Sequence, residues 1–160
     1  MKQKTLALLL KIVIVGVAVC AAVVYAAIIP ETGKSLAELG GGEFAPMLTP
    51  WLVFVSLTAL PVAAALVLAF VIAVNIGRGR SFCMRNAKLL AVISVLAAVD
   101  SAYFLIGILV LFFLGMNHPG IFILSLMVCF AGLAVTVAAA ALSHYARKAA
   151  VLQEQNDLTI

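Results

Sequence analysis

With 160 residues, 66% of them hydrophobic and only 10% charged, the chain cannot clothe a water-exposed surface. A mean hydropathy of +1.28 points to a bilayer as its solvent. The formal charge of +4 collects at the ends of apolar runs, which argues for membrane orientation and against direct nucleic-acid binding.

Four runs, 6–29, 51–76, 87–114 and 121–142, each supply the roughly 20 apolar residues that cross a bilayer core of about 30 Å. None alternates as a barrel strand would. The expected fold is all-α: one membrane domain, 1–160, built as a bundle of four transmembrane helices. Lys2, Lys4 and Lys11 precede or begin the first run, Arg78, Arg80, Arg85 and Lys88 fill the connection 77–88, and Arg147 and Lys148 follow the fourth run. Of ten basic residues only Lys34 falls on the other side. Basic loops stay in the cytoplasm, so the expected topology has both termini inside. The first run is longer than the core of a cleavable signal, and Val19 is bulky where a lipoprotein signal before Cys20 wants a small residue. Retention of the first span is therefore expected.

Ala18, Ala22 and Ala26 form a four-residue ladder in the first span, which lets helix backbones approach closely. The outer loop, 30–50, is punctuated by Pro30, Gly40 to Gly42, Pro46 and Pro50, with a short interfacial helix expected over 35–39. Trp51 opens the second span at the headgroup level. That span carries the ladder Ala65, Ala69 and Ala73, and Pro61, which withholds a donor from the Leu57 carbonyl. A kink is expected there, with Ser56 or Thr58 re-satisfying the backbone.

In the connection 77–88, Gly77 and Gly79 read as stop signals, Ser81 as an N-cap, and helix three as starting near Phe82. Arg78, Arg80, Phe82, Arg85 and Lys88 are candidates for binding a partner or anionic lipid. Helix three then carries Asp100, about 18 Å above Lys88 and thus deep in the core. Lys11 is too shallow to pair with it and is expected to snorkel. Of the fourth-span ladder Gly132, Thr136 and Ala140, Gly132 reaches its depth and Thr136 lies one turn nearer the cytoplasm. The expected polar site is a protonated Asp100 bonding to Thr136, with Tyr103 on the same helix face.

Asn117, His118, Pro119 and Gly120 make a tight outer turn. After the fourth span, Leu142, Tyr145, Ala149 and Leu152 recur at helical spacing into a tail, 143–160, that stops at Asn156 and Asp157. The apolar ending Leu158 and Ile160 is a further candidate contact for a partner. Cys20, Cys83 and Cys129 have neither disulfide nor metal-site spacing, and His118 and His144 lie on opposite sides of the membrane. No catalytic set, cofactor site or metal site can be assembled, so an enzyme is not expected.

Two stretches resemble a known family: Gly79-Arg80-Ser81-Phe82 followed by Asn86 and Leu89-Leu90, and the ending from Leu152 through Asp157-Leu158-Thr159-Ile160. They are similar to the bacterial domain-of-unknown-function family 2975. The resemblance implies a small four-span inner-membrane protein. It also implies a regulatory partner, because members are often encoded beside a small helix-turn-helix regulator of the Xre type. The leading expectation is a membrane protein that binds and restrains such a regulator. The alternatives are a small proton-coupled transporter using Asp100, with a homodimer as its form, and an accessory subunit of a larger complex.

Overall fold

The computed structural model describes residues 3–39, 45–117 and 119–157. Its helices are α1 (Gln3–Val23), a π turn (Val24–Ile28), α2 (Ile29–Leu39), a 3-10 turn (Ala45–Met47), α3 (Leu48–Leu57), α4 (Ala59–Gly77), α5 (Met84–Phe113) and α6 (Pro119–Asp157). The described residues contain no strand. As continuous rods these make four helices long and apolar enough to cross a membrane: Gln3–Ser35, Ala45–Gly77, Met84–Phe113 and Pro119–Asn156. At about 1.5 Å per residue each is longer than the hydrocarbon core, so every rod protrudes.

The rods pack in chain order, α1 against α4, α4 against α5 and α5 against α6, with the last pair sharing the most extensive contact. A seven-residue repeat explains that pair. Ala87, Ser94, Ser101 and Ile108 of α5 are buried, and so are Ser125, Cys129, Ala139 and Ser143 of α6, with Gly132 and Thr136 half-buried between them. Spacings that alternate three and four keep one seam facing the partner, and small side chains let the backbones close in. Ser143 Oγ donates to the Ala87 carbonyl at 2.7 Å, and Ser94 Oγ to the Thr136 carbonyl at 2.9 Å. Ser101 fills the notch left by Gly132.

The strict four-residue ladders hold less well. Ala65, Ala69 and Ala73 do face neighbours, but Ala22, Ala26 and Ala140 are exposed. A helix turns 3.6 residues at a time, so a step of four drifts off the contact face while alternating three and four stays on it.

Several boundaries differ from the sequence reading. The helix does not stop at Pro30. A π turn, in which Ile29 N–H reaches back to the Val24 carbonyl, precedes the proline, and α2 continues to Leu39. Pro30 cannot donate to Ala26, and its ring would crowd that carbonyl, so the turn widens around it. The expected separate helix at 35–39 is thus the end of α2. Gly33 leaves room on α2 for Leu48 and Trp51. Pro119 and Gly120 begin α6 rather than a turn, with proline where its missing donor costs nothing. Residue His118 lies outside the described residues.

The two reversals share one device. Gly79 at φ +77° closes α4 with Gly79 N–H on the Ile76 carbonyl and Arg80 N–H on that of Asn75. Gly115 at φ +71° closes α5 with Gly115 N–H on Phe112 and Met116 N–H on Leu111. Both are Schellman caps, whose left-handed residue favours glycine.

Candidate functional site

Two regions hold the candidate residues: a layer inside the membrane around Asp100, and the end of the bundle where the basic residues gather.

Span two breaks at Thr58, between α3 and α4, one turn before Pro61. Thr58 Oγ1 donates to the Val55 carbonyl at 2.7 Å, which leaves its lone pairs for Tyr25 Oη at 2.7 Å. With the threonine proton committed, Tyr25 is the donor. Thr58 is one of the two hydroxyls expected to re-satisfy the backbone at the kink, but it bonds the Val55 carbonyl and not the one that Pro61 frees on Leu57. Tyr25 belongs to the π turn, so the two irregular stretches of neighbouring rods are tied to each other.

Asp100 sits on α5 at this level. Asn75 opposite Asn86, and Phe54 opposite Gly107, set one antiparallel register that places Asp100 level with Pro61. The Phe54 ring occupies the space that Gly107 leaves, stacks on Phe104 at 5.7 Å and tilts against Tyr103 at 5.1 Å. Tyr103 Oη donates to the Phe54 carbonyl at 3.2 Å.

The expected Asp100–Thr136 bond does not form. Thr136 Oγ1 donates to the Gly132 carbonyl of its own helix at 2.9 Å, and Asp100 Oδ1 is buried without a hydrogen-bond partner. The depth estimate was sound, since Gly132 does lie level with this part of α5. Rotation was misjudged: it is Ser101 that meets Gly132, and Asp100 is about 100° further round the helix. Thr136 lies opposite Ser94, nearer the basic end than Asp100, and none of Asp100, Tyr103 and Thr136 is hydrogen-bonded to another. Lys11 is far from them. The Ala7–Gly77 contact and the Tyr25–Thr58 bond fix the register of α1, and Lys11 falls level with Lys88, about 18 Å from Asp100.

At the basic end, an amide pair organises the connection. Asn75 Nδ2 donates to Asn86 Oδ1 at 2.8 Å, and Asn86 Nδ2 donates to the carbonyls of Arg80 at 2.9 Å and Ser81 at 3.1 Å. Asn86 is 2% exposed, so these bonds are shielded from water. Sequence reading passed over this pair, although two asparagines flanking one loop at the ends of two spans were its visible sign. Ser81 is not the N-cap. Cys83 holds that position with extended backbone and no side-chain bond, and α5 starts at Met84 rather than Phe82. The clamp instead ties the loop's carbonyls to the first turn of α5. Arg78, Arg80, Arg85 and Lys88 are all exposed around it, as is Phe82 at 58%.

α6 runs past this face as an unbroken helix to Asp157. Ala150 is buried, whereas Tyr145 (68% exposed) and Leu152 (66%) lie seven residues apart on an open face. Leu158 and Ile160 lie outside the described residues. Among the described residues no group of three His, Cys, Asp or Glu could hold a metal ion.

The family model described as "Protein of unknown function (DUF2975)" matches residues 34–160. The chain belongs to this family. The match takes in both stretches that carried the resemblance, Gly79 to Leu90 and Leu152 to Ile160. Among curated proteins, the DUF2975 chain is 27% identical over 163 residues to the uncharacterized membrane protein YoaS of Bacillus subtilis, covering 99% of each chain. No solved structure matches it.

Proposed function

We propose that this DUF2975 protein lies in the bacterial inner membrane with both ends in the cytoplasm, and that its basic face holds a small helix-turn-helix transcription regulator. One observation carries the reading: the length and surface of α6. Its 39 residues reach about 58 Å, roughly twice the hydrocarbon core. The excess lies beyond the Ser143–Ala87 contact and presents Tyr145 and Leu152 to whatever meets them. An amphipathic helix with anchors at such spacing suits docking into an apolar groove.

Arg78, Arg80, Phe82, Arg85 and Lys88 flank the arm and supply charge and one aromatic contact. Leu158 and Ile160 extend the same arm in sequence. The basic residues also attract anionic lipid at roughly 1 kcal/mol each, which would seat the face at the headgroups with no partner present.

Site-specific photo-crosslinking in living cells tests this. A photoreactive residue at Leu152 or Phe82 is expected to capture a DNA-binding regulator, and one at Glu38 is not. Adducts confined to the subunits of a larger membrane complex would replace the reading with an accessory-subunit role. Capture of the regulator from Glu38 would invert the topology.

A further inference from the structure

The feature that the docking reading leaves unused is the layer around Asp100, and the inference drawn from it is independent of that reading. Each rod departs from a plain apolar helix at nearly the same depth. α1 gives way to the π turn at Val24–Ile28, span two breaks at Thr58 with Pro61 following, α5 carries Asp100 and Ser101, and α6 carries Gly132. At this depth α5 carries an acid whose Oδ1 is buried with no partner.

A carboxylate in that position would be an uncompensated charge. No cation reaches it, since Lys11 and Lys88 lie about 18 Å toward the basic end. Four hydroxyls near this level are engaged elsewhere, Tyr25 on Thr58, Thr58 on Val55, Tyr103 on Phe54 and Thr136 on Gly132, and that of Ser101 is turned to Gly132 on α6. A metal cation needs several oxygen ligands, and this level offers one carboxyl and hydroxyls already engaged. A proton needs a single oxygen and one acceptor. Pro61 provides for the acceptor, because it withholds the backbone donor that a Leu57 carbonyl would otherwise receive, one turn from Asp100 in the α4–α5 register.

The layer is also where two of the rods depart from regular helical bonding. π turns and proline breaks are the places at which a helix changes its bonding pattern most cheaply. We infer that Asp100 is a proton-binding site within the membrane, taking up and releasing a proton as the Thr58–Pro61 break flexes around it. In the closed form the carboxyl O–H is intact and donates to main-chain carbonyl. In the open form water enters, the O–H bond breaks, and the proton leaves as hydronium with the carboxylate hydrated behind it. The titratable groups packed around this level are few: Tyr103 on α5, Tyr25 from the π turn, Cys129 on α6, and none on α3 or α4 between Phe54 and Ala65. None is a carboxyl, an imidazole or an amine.

Infrared difference spectroscopy on the full-length protein in lipid nanodiscs tests the inference. The chain has two aspartates, Asp100 and Asp157. Labelling with ¹³C-aspartate in an Asp157→Asn background therefore isolates Asp100 without altering its surroundings. The expected result is a protonated-carboxyl band that carries the isotope shift and is lost and regained reversibly as pH is cycled within the range where the protein stays folded. A shifted band that persists unchanged would make Asp100 a static packing residue, and its absence throughout would mean a permanently ionised, compensated acid. Either overturns the inference. Pro61→Ala, which returns a donor to Leu57, is expected to slow or abolish the exchange. An unchanged rate in that variant would remove the hinge from the mechanism.

Discussion

Glycine positions separate contacts that a side chain can yield from contacts that it cannot. A Cβ at Gly107 would enter the Phe54 ring, which is wedged between Tyr103 and Phe104 and has nowhere to swing. Gly107→Ala is expected to destabilise by about 1–3 kcal/mol, the usual cost of overpacking. At Gly132 the new Cβ would meet Ser101 Oγ, the end of a rotatable side chain, so Gly132→Ala should cost less. Gly16 has nothing within 4 Å, and Gly16→Ala should stabilise by roughly 0.5–1 kcal/mol through helix propensity. Thermal unfolding in detergent checks the order Gly107, Gly132, Gly16, and any other order would show that the α3–α5 contact is misplaced. Asn86 offers a second test at this scale. Asn86→Ala strips a donor pair and an acceptor from a shielded site, with an expected loss of about 1–3 kcal/mol. Asn86→Asp keeps the acceptor for Asn75 but turns a carboxylate toward two carbonyls, and should be no better than alanine.

Between elements, the tie between the π turn and the span-two break should be modest in energy and specific in effect. Tyr25→Phe removes one hydrogen bond inside the membrane, worth about 0.6 kcal/mol on average, while Thr58 keeps its bond to Val55. A small stability loss together with faster amide exchange near Thr58 is the expected pair of results. No change in exchange would mean that the two irregularities are independent. Gly79→Ala, at positive φ, should cost about 1–2 kcal/mol and loosen the connection that the asparagine clamp fixes.

The elements also show what the residues revealed in advance. Apolar length gave all four rods, Gly79 marked the end of α4, and Pro61 marked the break within a turn, because these are local effects of hydropathy and backbone chemistry. Pro30 misled, since a proline reads as a stop unless the preceding turn can widen, and that depends on how α1 meets α4. The Asp100–Thr136 bond fails for the same kind of reason. Depth follows from counting residues, but the angle at which α5 presents Asp100 is set by the seven-residue seam that places Ser101 against Gly132. Both asparagines of the clamp are plain in the sequence, but their pairing emerges only when two helix ends come together.

For the molecule as a whole, packing in series leaves α1 held on one side by α4, while α5 and α6 form the firmest pair. Cysteine accessibility should place Glu38→Cys outside and Leu152→Cys in the cytoplasm. A cytoplasmic position 38 would move the basic face, and the partner surface with it, out of the cell. The docking reading itself meets its most direct test in transcript profiles. Cells lacking the protein are compared with cells carrying a chain truncated after Lys148, at equal membrane abundance. If the arm of α6 holds a regulator, both strains should change the same genes in the same direction. A truncated strain whose transcripts match those of cells with the intact protein would contradict it, and would leave the arm as a solvated extension of the fourth span.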